Sequence, residues 1–203
     1  DGNGCYARWY SLLGGIDITP STGNQTRLRE PNVVVSGVHR RMTVEMANRI
    51  VARDFAIISK DDDGHYKRQF FPYVDIDTLP RDEEGGVVPD NEAAILRNIQ
   101  HLHQILWNQD LEQTDVEVQA TFDLWMKVWS ARPEKQGLGF SEKVEQAEID
   151  YKSAWEAANG LEVLERRPML RDDTYVLRSW RVVLDYLLSD PSITYEFPPL
   201  EAP

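Results

Sequence analysis

Between residues 90 and 132, apolar and polar positions alternate with a period that predicts two consecutive amphipathic helices. In the first, Ile95, Ile99, Leu102 and Leu106 fall on one face at about 100° per residue, and Leu96, Ile105 and Trp107 widen it. Arg97, Gln100, His101 and Gln104 lie opposite. Pro89 ends what precedes, and Asp90 is placed to accept free backbone N–H groups as the N-cap. The second helix is expected from Thr114, because Thr114 and Glu117 have the spacing of a capping box. Along it Val118, Phe122, Trp125 and Trp129 form one stripe, and Pro133 stops it. An aromatic stripe of this kind reads first as core, since each ring buries roughly 150–250 Å². Residues 108–113 are short enough to join antiparallel neighbours.

The same reading predicts three further helices. One runs from Thr43 to about Phe55, with Val44, Ala47, Ile50, Val51 and Phe55 on one face. Another spans 141–159, capped by Ser141 and closed by Gly160, with a narrow stripe of Val144, Ala147, Tyr151, Ala154, Trp155 and Ala158. The last runs from about Thr174 to Leu188 and is apolar over most of its circumference. That width predicts a central position, between the 90–132 pair and the 141–159 helix. Residues 161–172 read as a charged connection. Two runs that can be extended flank Asp61-Asp62-Asp63-Gly64, which predicts a small β-hairpin over about 55–71. Val33 to Val35 is a short β-branched run that suits a strand. Residues 1–41, punctuated by glycine and proline, read as an irregular N-terminal arm, and 197–203 as an extended tail. The expected fold is therefore mainly α: a bundle of about five helices in one domain over 42–196, with a small β-hairpin and long irregular termini.

Composition removes several function classes. The net charge of −12 argues against nucleic acid as a partner. No apolar run approaches the ~20 residues of a membrane span. The charge is uneven. Residues 27–53 carry Arg27, Arg29, Arg40, Arg41, Arg49 and Arg53 against two acids, whereas 141–165 carries seven acids against Lys143 and Lys152. The two segments can face each other or draw oppositely charged partners. The chain opens on Asp1-Gly2-Asn3-Gly4 without a signal-peptide pattern, as a processed form or a fragment would, which tilts the expectation towards an exported protein. The single cysteine, Cys5, excludes an internal disulfide, a Cys-rich zinc site and covalent haem attachment. It remains a candidate for an intermolecular linkage or a modification. Asn24-Gln25-Thr26 fits the N-glycosylation pattern.

Candidate chemistry is sparse. There is no G-x-S-x-G, Walker loop, G-x-G-x-x-G or H-E-x-x-H. His101 and His103 form an H-x-H pair, but on a helix they point about 200° apart and cannot grip one ion. His103 falls on the apolar arc beside Trp107, as a core histidine or a ligand. His39-Arg40-Arg41, just before the helix expected at 43, suits an anion or a surface basic cluster. An EF-hand aligned on Gly64 fails, because its twelfth position is Phe70. Asp75 and Asp77, two apart in an extended segment, point to opposite faces.

The stretch Asn98 to Trp129, with His101-Leu102-His103, Leu106, Leu111, Glu117, Phe122 and Trp129, resembles helical portions of large exported proteins of myxobacterial and planctomycete type. So does the stretch from Ser179-Trp180 to Pro191. Such proteins often accompany cytochrome c domains. The resemblance covers about a third of the chain, and the haem-attachment motif has no counterpart here, so neither a redox role nor any functional residue is carried over. No cofactor and no metal are expected. The sequence points to a non-catalytic exported structural or interaction subunit, assembled through its N-terminal arm with a protein partner or further copies of itself. The alternative is an enzyme or redox-associated protein with a pocket near His103 and Trp107.

Overall fold

The protein's computed structural model describes residues 33–132, 140–143 and 146–190. Among them it is mainly α, with five helices: α1 (Val33–Ala56), α2 (Pro89–Trp107), α3 (Val116–Ser130), α4 (Gln146–Ala158) and α5 (Val176–Leu188). One antiparallel pair joins β1 (Phe140–Lys143) to β2 (Met169–Asp172), with Phe140 opposite Asp172 and Lys143 opposite Met169.

Helix α1 begins ten residues earlier than expected, so Val33 to Val35 are helical rather than a strand. The cause is its buried stripe. His39, Thr43, Ala47, Val51 and Phe55, each four residues apart, are all buried. The first two are polar, and packing against α5 holds the helix where hydrophobicity alone would end it. Thr43 Oγ1 donates to Asp185 Oδ1 at 2.7 Å, tying α1 to α5. Helix α2 starts at Pro89 after Val88, so Asp90 lies in the first turn, beside the helix dipole's positive end, and is not the cap. Its buried face is Ile95, Asn98, Ile99, Leu102 and His103, while Ile105 is exposed. Asn108, at φ 53°, closes its C-terminus. The capping box at α3 does not form. Asp115 is the cap residue, and its carboxylate instead accepts Glu112 N at 2.7 Å.

Helix α5 is central as its wide apolar arc requires. One of its two main neighbours is α3, of the 90–132 pair, as expected, but the other is α1 and not α4. A run of rings crosses this core: Phe55 to Phe71 at 4.8 Å, Phe71 to Trp180 at 5.3 Å, Trp180 to Trp125 at 5.8 Å and Trp125 to Trp129 at 6.2 Å. Asp172 at the end of β2 accepts Leu177 N and Arg178 N, both at 3.0 Å, and so caps α5, whose entry residue Tyr175 is left-handed at φ 65°.

Four further expectations change. The 55–71 hairpin reduces to a tight turn with one bridge, Lys60 opposite Tyr66. Gly64, at φ 82°, completes that turn. Residues that would extend the ladder are engaged elsewhere: Ile58 N donates to Glu165 O, Arg167 N to Ala56 O, and the amides of 69–71 to Asp54. Ser141 lies in β1 and caps no helix, because α4 begins at Gln146. The connection 161–172 contains β2. Most consequential, the α4 stripe does not face the core. Tyr151, Ala154, Trp155 and Ala158 are exposed, whereas Glu156 is buried. Of the irregular arm expected over 1–41, residues 33–41 form the start of α1 instead, and residues 1–32, like Val144 and the tail over 197–203, lie outside the described residues.

Candidate functional sites

The sequence candidate at His103 and Trp107 lies on a real concavity. A groove of about 740 Å³, open to solvent, runs between the end of α2, the start of α3 and the end of α5. His103 forms part of its wall but is already held on both sides. Its Nδ1 lies 3.1 Å from Gln109 Oε1 and its Nε2 3.3 Å from Thr121 Oγ1. Thr121 spends its hydroxyl proton on Glu117 O at 2.7 Å, so Nε2–H is the donor to Thr121. His103 is thus a positioned core histidine facing the groove, not a free base. His101 points elsewhere: its Nε2 is 2.8 Å from Gln69 O, and its ring meets Tyr73 edge-on at 5.8 Å.

The sequence reading missed a dense polar network under the 57–88 loop. Arg68 has a fully buried side chain. It donates to Ile57 O (2.8 Å), Val74 O (2.7 Å) and Asp75 Oδ1 (3.0 Å), and lies 3.9 Å from the Tyr66 ring centroid. Arg167 brings a second guanidinium to Asp75 Oδ2 at 2.7 Å, and Tyr66 Oη donates to the same oxygen at 2.9 Å. Burial works against the Asp75 carboxylate, but Arg68, Arg167 and Tyr66 together hold its pKa below the ordinary value. The Tyr66 hydroxyl is pushed up to about 12 by burial and by its bond to Asp75. Asp75 is the hub that fastens the loop to the segment before β2. Its partners lie 7 to 92 residues away in sequence, so no local spacing reveals them.

Asp54, near the end of α1, accepts Gln69 N (3.1 Å), Phe70 N (2.8 Å) and Phe71 N (2.9 Å). Burial nevertheless raises its pKa, outweighing the three amides and Arg68. It borders a cavity of about 300 Å³ shared with Arg53, Lys67, Lys152 and Arg166. Two acids of the 141–165 segment find their partners here outside the basic 27–53 segment. Arg166 pairs with Glu156, and Lys67 with Glu162. The Arg166 hydrogen bond holds the Glu156 carboxyl below its ordinary range.

The remaining candidates resolve plainly. Asp61, Asp63 and His65 bring one ligand atom each within 4.8 Å of one another. However, Arg97 Nη1 lies 3.4 Å from His65 Nε2, and an arginine can only donate. His65 Nδ1 in turn lies 3.9 Å from Asp61 Oδ2, so both ring nitrogens face protein groups. The group is a turn in which Asp61 Oδ1 accepts Asp63 N and His65 N. His39-Arg40-Arg41 lies inside α1, away from free helix-start amides, which removes the anion reading. His39 is buried, and burial lowers its pKa, against the opposing pull of Asp190. Cys5 and Asn24 fall outside the described residues. No helix among the described residues is long and apolar enough to cross a membrane. In comparisons with protein-family models, curated proteins and solved structures, the chain matches none.

Proposed function

We propose that this chain is a non-catalytic structural or interaction subunit of a larger assembly, exported as the sequence expectation has it. The observation that carries the reading is the outward stripe of α4. Tyr151 is 70% and Trp155 53% exposed, one turn apart, with Ala154 and Ala158 alongside and Leu161 and Val163 exposed just beyond. A stripe at helical spacing that turns away from its own core is the mark of a surface that another chain covers. Covering the free parts of the two rings removes roughly 250 Å² from water, about 6 kcal/mol gross before association costs.

The test is native mass spectrometry of the protein from its source, with and without reductant, beside a Tyr151→Ser/Trp155→Ser double variant. The expected result is a complex heavier than the 23.4 kDa chain that the double variant abolishes. Sensitivity to reductant would add Cys5 to the interface. An unaltered complex in the double variant, or a bare monomer in both, overturns the assignment. The second reading, an enzyme or redox-associated protein at His103 and Trp107, draws on the groove there. The engagement of both His103 nitrogens favours binding over proton transfer at that place.

A further inference from the structure

We propose that the groove beside Trp107 is a docking site for a basic segment of a partner protein, one that presents an aliphatic or aromatic anchor next to lysine or arginine. This surface is separate from the α4 stripe and stands or falls independently of it. Its walls are apolar: Trp107 from α2, Val116 and Ala120 from α3, and Tyr186 and Leu187 from α5. Val116 is 79% and Tyr186 60% exposed, so two large side chains on facing helices stand uncovered across the opening. The charged residues of the lining are both acids, Glu117 and Asp190.

Two helix C-termini, of α2 at Trp107 and of α5 at Leu188, bring negative dipole ends to this groove, against one N-terminus, of α3 at Val116, whose positive end is offset by Glu117 in the same turn. A cation is favoured there, and an apolar wall selects one carried on an apolar body. The groove is open rather than enclosed, which suits side chains of a docked segment better than a small molecule that needs most of its surface buried. The chain's own residues 191–203, which follow Asp190 directly, contain Glu196 and Glu201 and no lysine or arginine, so charge disfavours them as the occupant.

The test is a titration of the isotope-labelled full chain with a short amphipathic peptide of leucine and lysine, followed by amide and indole shifts. The control is the same peptide with glutamate for lysine. The expected result is shifts confined to Trp107, the first turns of α3 and the last turn of α5, with no response to the glutamate peptide. Val116→Ser/Tyr186→Ser, two exposed changes that leave the core intact, weakens binding by about tenfold or more, and Glu117→Gln weakens it severalfold with a shallower salt dependence. Shifts scattered over the acidic surface, or affinity unchanged in the double variant, overturn the proposal. So does lysine-peptide binding that tightens about tenfold when Tyr195→Ser/Phe197→Ser removes the tail's own anchors, which assigns the groove to the tail. A dimer that Val116→Ser/Tyr186→Ser dissolves gives the groove to a second copy and overturns it as well.

Discussion

Replacing Asp54 by alanine removes one side chain and frees three backbone donors. Phe71 N is buried, and Gln69 N and Phe70 N are partly buried, so none is fully hydrated in the folded state. A hydrogen bond to a charged acceptor is worth about 1.5–3 kcal/mol, and a buried donor left unpaired costs about 1–3 kcal/mol. Two terms reduce the sum. The adjoining cavity lets water reach Gln69 and Phe70, and burial of the carboxylate, the cause of its raised pKa, is no longer suffered. The net loss expected is about 2–4 kcal/mol, roughly 5–15 °C in Tm for a chain of this size. Urea denaturation and hydrogen exchange measure it, and the amides of 69–71 should lose protection before those of α5 do. The pH dependence of Asp54→Asn gives an independent sign. A carboxyl raised above its unfolded value contributes stability fully present below about 3.8, the unfolded pKa, and lost as pH rises through the folded pKa. The gap between wild type and Asp54→Asn should therefore widen as pH falls from 7. A loss below about 1 kcal/mol with residues 69–71 still protected would refute the idea that Asp54 anchors this loop.

Asp75→Asn should behave oppositely with pH. It strands the buried Arg68 charge and costs about 3–5 kcal/mol at neutral pH. Because the Asp75 pKa is lowered, the wild-type advantage is present above 3.8 and vanishes as pH falls through the folded pKa, so the two stability curves should converge in acid. Urea midpoints taken across that range check it, and parallel curves refute it. His103→Ala should cost only about 1–2 kcal/mol, because Thr121 keeps its bond to Glu117 O and Gln109 is exposed to water. Calorimetry giving a loss above about 4 kcal/mol would mean that His103 organises more than its two neighbours.

What was legible in the sequence followed one-dimensional periodicity. The α2 face of Ile95, Ile99 and Leu102, Trp125 and Trp129 of the aromatic stripe, and the centre of the α5 arc bury as their spacing predicts, while Val182 and Tyr186 at the edge of that arc stay exposed. What was not legible depends on partners distant in sequence. Helix α1 starts at Val33 because buried His39 and Thr43 continue a stripe that a hydrophobicity pattern ends at Thr43. The 57–88 loop is ordered by Asp54, Arg68, Asp75 and Asn98 rather than by strand pairing. Asn98, for example, donates to Phe70 O and accepts Tyr73 N across 25 or more residues. Charged residues in a loop read as solvated; only the fold shows that Arg68 is covered on every side.

Helix α4 marks the limit of periodicity most sharply. A stripe records that one face of a helix will be covered, not which chain covers it. Helix α5 has apolar side chains around most of its circumference and meets α1 and α3 together. Helix α4 has one narrow stripe, so it cannot both face the core and bind outside with apolar surface. It meets the body instead through Ile149 at the small cavity and through buried Glu156, whose carboxylate takes Arg166 and Leu164 N. A buried ion pair stabilises little when set against an apolar contact of the same size. Spending it on the inner face leaves Tyr151 and Trp155 free on the outer one. The inverted polarity of α4 is therefore the structural reason for reading the chain as one member of an assembly, and Glu156→Leu separates the causes. If the ion pair only fills the inner face, the variant keeps its fold and its assembly. If the ion pair sets the helix's rotation, the apolar replacement lets α4 turn, the Tyr151 and Trp155 fluorescence and quenching change, and assembly weakens with them.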